Sequence, residues 1–245
     1  MRKNNSLNDN TFKRGQVYYA DFGVDRLQIK PVLIIQNDVG NAAAKNVIVV
    51  LLEKATDKDR LVINVGSAKL TITNKLDTIS KEKIYRVAAM ANKSGIPKPN
   101  AVLTEEQLAI LDEELLETVG ITNDNFKKNA FIHRGDLYFS VGFKNLVFDD
   151  SEEKGDRLCL VLNEDKNDKN NVVVALLTSS PKKANREYFP THVKLNVEKD
   201  KVSTIMLEHL RTIPKDYLNK TDLIYHLSIA ETKEVNDKLR VSLAL

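Results

Sequence analysis

An internal repeat constrains this chain more than any other feature. Phe12-Lys13-Arg14-Gly15-Gln16-Val17-Tyr18-Tyr19 returns 120 residues later as Ile132-His133-Arg134-Gly135-Asp136-Leu137-Tyr138-Phe139. Pro31-Val32-Leu33-Ile34-Ile35-Gln36-Asn37-Asp38 returns at an offset of 127 as Leu158-Cys159-Leu160-Val161-Leu162-Asn163-Glu164-Asp165. Asn46 to Leu52 answers Asn171 to Leu177 at 125, and Leu76-Asp77-Thr78-Ile79 answers Leu210-Arg211-Thr212-Ile213 at 134. The order is kept while the offsets drift, as happens when only the loops of duplicated domains differ. The 245 residues therefore divide into a polar tail 1–11, a first domain 12–122, a polar linker 123–130 and a second domain 131–245.

Within each copy the periodicity is that of strands. Val17–Phe22 and Leu137–Val141 follow an Arg-Gly turn; Leu33–Gln36 and Val47–Leu52 are short branched runs suited to buried strands. Weaker alternation marks Leu61–Val65 and His192–Val197. Each copy ends in one helix, announced by the capping boxes Thr104-Glu105-Glu106-Gln107 and Ser228-Ile229-Ala230-Glu231. Leu108, Leu111, Leu115 and Val119 then form one apolar face, and Val235, Leu239 and Leu243 the other. The expectation is a mainly β (α+β) chain: a curled sheet of five or six strands closed by a C-terminal helix, built twice.

Bulk properties narrow the function classes. Net charge is only +3, so nucleic-acid binding requires a local patch. The single cysteine, Cys159, excludes an internal disulfide and reads as a small buried hydrophobe. No apolar run approaches the roughly 18 residues of a membrane span, and the polar start is not a secretory signal; a cytoplasmic protein without membrane contact is expected. All four histidines, His133, His192, His209 and His226, fall in the second copy. Their spacing does not suit a zinc site, so neither metal nor cofactor is expected, and His192 reads as a solvent-facing strand residue.

These motifs together resemble the MazF/PemK-type toxins of bacterial type II toxin–antitoxin systems. The resemblance rests on the Arg-Gly starts, on Lys30-Pro31-Val32-Leu33-Ile34-Ile35-Gln36-Asn37-Asp38 and on Pro190-Thr191-His192-Val193. Leu207-Glu208-His209-Leu210-Arg211-Thr212-Ile213 and the ending Ser242-Leu243-Ala244-Leu245 complete it. It implies two tandem SH3-like small barrels of the MazF/PemK/CcdB type, packed as an intramolecular pseudo-dimer. It also implies metal-independent endoribonuclease activity on single-stranded RNA and an antitoxin protein as partner. Since CcdB, a gyrase poison, shares the fold, fold does not fix chemistry.

The resemblance assigns catalysis to an Arg opening the second strand and a Thr closing the third, here Arg157 and Thr178. A guanidinium suits a developing phosphate charge because it donates paired hydrogen bonds. The first copy carries Lys30 and Glu53 instead, and a carboxylate beside a phosphate reads as a lost site. Glu208 and Arg211 match the family's Glu and Arg lining the RNA groove, and His209, a further groove candidate, stands where the family has Gln; Arg211 reads equally well as an ion-pair partner of Glu208. Lys182, Lys183 and Arg186, interleaved with Tyr188 and Phe189, read as a phosphate-tracking, base-stacking loop or a solvated hairpin tip. The helix Thr104–Thr118, with six carboxylates and no base, reads as an acidic face. Further departures from the family stand out: its glycine-rich loop before the catalytic Arg is absent in both copies, Leu158 replaces a proline, and the loop before Arg157 is acidic (Asp149 to Asp156) and seven residues longer than its counterpart. Two function classes stay open: a ribonuclease active in the second copy, or a toxin-derived module that binds antitoxin, a gyrase-like target or RNA without cutting. Further oligomerisation stays open as well.

Overall fold

A computed structural model describes residues 12–23, 27–121, 132–140, 157–163, 170–179, 189–198, 201–218 and 222–245. The first copy runs β1 (Gln16–Asp21), β2 (Ile29–Ile34), α1 (Asp38–Ala43), β3 (Asn46–Lys54), β4 (Ile63–Val65), β5 (Ala68–Ser80), α2 (Lys81–Ala91), β6 (Ala101–Val102) and α3 (Glu105–Thr118). The second runs β7 (Asp136–Ser140), β8 (Arg157–Val161), β9 (Asn171–Thr178), β10 (His192–Glu198), β11 (Lys201–Pro214), a 3-10 turn (Lys215–Tyr217), β12 (Leu223–His226) and α4 (Ile229–Leu243).

Each copy forms one six-stranded antiparallel sheet, ordered β4-β5-β3-β2-β1-β6 and β10-β11-β9-β8-β7-β12. The two orders are identical once the repeat is allowed for, as duplication requires. In the first copy the edge strands β4 and β6 approach each other, so the sheet curls into a barrel. Both faces are covered. Val17, Leu33, Ile48 and Val50 pack inward with Leu111 and Leu115 of α3, while Tyr18, Val32, Ile34 and Val49 pack on the opposite face with Phe12 and Ile84 of α2.

Both capping boxes form: Thr104 accepts from the Gln107 amide and Ser228 from the Glu231 amide. Leu111, Leu115 and Val119, and likewise Val235, Leu239 and Leu243, are buried. The repeat does not extend to α2, which has only the 3-10 turn as its counterpart. Much of the acidic face of α3 is answered locally. Asp112 accepts from the Arg14 guanidinium at 2.5 Å, and Glu113 from that of Arg60 at 2.6 Å. Cys159 is buried with its Sγ 3.5 Å from the Tyr138 carbonyl. Among the described residues no helix is long and apolar enough to cross a membrane.

The copies meet where β5 packs on β11, and their bonds are reciprocal. The Thr78 hydroxyl accepts from the Leu210 amide at 3.0 Å and donates to the Leu210 carbonyl at 3.1 Å. The Thr212 hydroxyl accepts from the Leu76 amide at 2.9 Å. Asn37 donates to the Val241 carbonyl at the end of α4, while Asn163 donates to the Thr118 carbonyl at the end of α3. Each helix thus docks its C-terminus on the other copy's sheet. Gly120, at φ +69°, is required here: a Cβ would lie 2.6 Å from the Leu162 carbonyl oxygen. One apolar cluster runs through both copies, joining Leu33 and Leu111 to Leu160 and Leu239.

Candidate nucleic-acid site of the second copy

Arg157 opens β8 and Thr178 closes β9. The pairing of these strands, Cys159 with Leu176 and Leu160 with Ala175, sets Arg157 opposite Thr178 when the register is continued. Arg157 is also registered with Ser140 on β7, and Thr178 with Thr204 on β11, itself registered with Lys194 on β10. A single row therefore crosses the sheet as Ser140, Arg157, Thr178, Thr204, Lys194. Residues two apart on a strand share a face, so the neighbouring row, Tyr138, Cys159, Leu176, Met206 and His192, lies on the same side. Thr178 is 5% exposed and Arg157 half-buried.

The same register in the first copy sets Lys30 opposite Glu53. Both are exposed, and the Lys30 ammonium lies 5.7 Å from the Phe22 ring centroid. One position has thus kept a cation facing a hydroxyl and the other a cation facing a carboxylate.

A second constellation forms where β11 bulges between Met206 and Leu210. The Glu208 carboxylate lies 2.6 Å from His192 Nε2 and accepts from the Thr191 hydroxyl at 2.9 Å. Phe189 stacks on the imidazole at 5.1 Å with an interplanar angle of 17°. The side chains of His192 and Glu208 are 10% and 12% exposed, so His192 is not the solvent-facing residue its strand alternation suggests. The same side of the sheet carries an apolar cluster that includes Leu176 and Met206, while Lys194 and Asn196, further along β10, are exposed. Burial pushes the Glu208 carboxyl up, but the His192 bond and the His192 and His209 charges outweigh it, holding the carboxyl below its ordinary range. Glu208 is therefore bonded to His192 and Thr191, and its main-chain carbonyl is 3.3 Å from the Thr78 hydroxyl of the first copy. His209, beside it, is half-buried.

Arg211, three residues on from Glu208, is buried at the junction of the copies, where its charge acts on the buried Asp77 of the first copy. Lys182, Lys183 and Arg186, together with the acidic stretch 149–156, lie outside the described residues. Among the described residues no group of three His, Cys, Asp or Glu side chains could hold a metal ion. A further dyad escaped the sequence reading: His226 Nδ1 lies 2.6 Å from the buried Asp136 carboxylate. No sequence spacing links β12 to β7, which the register brings together.

Two six-stranded curled sheets of the same strand order, each with its C-terminal helix, define a duplicated small-barrel protein. The family model described as PemK-like, MazF-like toxin of type II toxin–antitoxin systems matches residues 13–119 and again 134–243. The chain belongs to this family, as a tandem duplication. It is 35% identical over 119 residues to the Bacillus subtilis (strain 168) protein named Endoribonuclease EndoA, covering 46% of this chain and 96% of that one. The same identity and length relate it to Endoribonuclease MazF of Staphylococcus saprophyticus, covering 46% and 92%. Solved structures similar to this chain include an endoribonuclease in complex with its cognate antitoxin from mycobacterial species. That match is 20% identical, with a TM-score of 0.33, and covers 47% of this chain and 99% of that one. Another is an endoribonuclease from mycobacterial species, 19% identical, with a TM-score of 0.35, covering 49% and 97%.

Proposed function

We propose that the chain is a toxin-type endoribonuclease that cuts single-stranded RNA without a metal ion, with its one active site in the second copy. The observation that carries this is the register setting Arg157 against Thr178 in one copy and Lys30 against Glu53 in the other. In the proposed reaction the 2′-hydroxyl oxygen of a ribose bonds to the adjacent phosphorus as its proton passes to water. The bond from phosphorus to the 5′-oxygen breaks as that oxygen takes up a proton from water, leaving a 2′,3′-cyclic phosphate and a 5′-hydroxyl. Negative charge builds on the non-bridging oxygens. Arg157 supplies fixed paired donors to that charge, and the Thr178 hydroxyl a further one; donors aimed beforehand cost no reorganisation as charge develops. The RNA groove would run along the junction of the copies, past Glu208 and His209, with Lys182, Lys183 and Arg186 tracking the backbone. The first copy would act as structural partner in a pseudo-dimer, and an antitoxin protein would bind the pair.

A second reading, binding without cleavage, draws support from the 5% exposure of Thr178. Cleavage of single-stranded RNA in the presence of chelator separates the two. Arg157→Ala should lower the rate on the order of 100- to 1,000-fold, while Lys30→Ala leaves it nearly intact. If the wild-type chain cuts nothing, and Arg157→Ala leaves RNA and partner binding unchanged, the binding module replaces the nuclease.

A further inference from the structure

The strip where β5 meets β11 is symmetric in its hydrogen bonds and asymmetric in one charge. Asp77 and Arg211 occupy equivalent places: each stands between the leucine and the threonine that make the reciprocal bonds. Each is also registered with the equivalent valine of its neighbouring strand, Asp77 with Val49 and Arg211 with Val174. Both residues are 6% exposed. Arg211 is the first charge that acts on Asp77, and Lys83 of α2 the second.

Two like halves meeting through this strip would bring the position against itself, carboxylate to carboxylate or guanidinium to guanidinium, away from water. Like charges in that setting repel strongly and neither offsets the other's desolvation. Unlike halves bring together opposite charges. We infer that this strip is a recognition surface with a charge code, by which the first copy accepts the second copy of this chain and rejects a copy of its own kind. A symmetric dimer cannot carry such a code, because both its halves present the same residue; a fused chain can. The pair need add no stability to do this, since rejection requires only that the wrong pairings be worse. The inference does not depend on catalysis.

The test is a charge swap in the full-length chain, comparing Asp77→Arg, Arg211→Asp and the double variant by thermal melting. Each single substitution creates a buried like-charge pair and should lower Tm by roughly 10 °C. The double variant restores opposite charges and should melt above both singles, with Lys83 beside the new arginine limiting full recovery. If a single variant does not fold, recovery of folded chain in the double variant gives the same answer. A double variant that melts no higher than the better single, or a single that melts with the wild type, overturns the charge code.

Discussion

Burial raises the Asp77 carboxyl from its ordinary 3.8 to about 6, against the pull of Arg211 and, more weakly, of the Thr78 amide and Lys83. A carboxyl raised in the folded state favours folding while it is protonated. Its contribution is present in full below about pH 4 and is lost as pH rises through 6; a shift of this size corresponds to about 3 kcal/mol. Asp77→Asn removes that dependence, so the variant should gain on the wild type as pH rises from 4.5 to 7.5. Melting temperatures at those two pH values check it, and a constant difference between the proteins would count against a raised carboxyl. Glu208, held low by His192, runs the other way and loses its contribution as pH falls; it cancels in the comparison because both proteins keep it. The family resemblance pointed to Arg157 and Thr178, and their strand-end positions were legible because the apolar runs of β8 and β9 stop beside them. Asp77 and Arg211 were not legible as a pair, since nothing local reveals that β5 lies on β11. His192 misled because alternation assigns a face but not what covers it: Glu208 and Phe189 close over the imidazole, while Lys194 on the same face is exposed.

The elements that sequence placed well are those with local signals. The two C-terminal helices announce themselves by capping boxes, and β3 and β9 by runs of branched residues. Helix α2 gave no such signal: Ser80 caps it without Glu or Gln three residues on, only Ile84 and Ala88 are buried, and its counterpart in the repeat is a 3-10 turn. The C-terminus of α3 offers the clearest test at this scale. Gly120 takes a left-handed conformation, and a Cβ there would meet the Leu162 carbonyl oxygen at 2.6 Å and Arg134 Nε at 2.9 Å. Gly120→Ala therefore adds backbone strain to a clash with main chain that cannot swing away, and should destabilise by about 1–3 kcal/mol. Thr104→Ala, removing one cap at the other end of the same helix, should cost about 1 kcal/mol. Denaturant midpoints of the two variants should fall in that order; equal midpoints would mean that the helix end moves freely off the second copy.

Across the whole molecule the two barrels share one apolar cluster, and each keeps a smaller one of its own; each also places its helix end on the other copy. Neither copy can unfold without uncovering leucines of its partner, so calorimetry should show a single transition. The hydrogen bonds between β5 and β11 give a way to perturb that unit from either side. Thr78→Val leaves the Leu210 amide without its acceptor, and Thr212→Val does the same to the Leu76 amide. A buried donor left unmatched costs about 1–3 kcal/mol, which in a chain of this size lowers Tm by several degrees, at about 2–4 °C per kcal/mol. Because the two bonds are reciprocal, the two variants should fall by similar amounts, although one substitution lies in the first copy and the other in the second. Each should shift the whole transition without splitting it. Two resolved peaks, or a loss confined to the copy that carries the substitution, would show that the halves are folding units joined only by a linker.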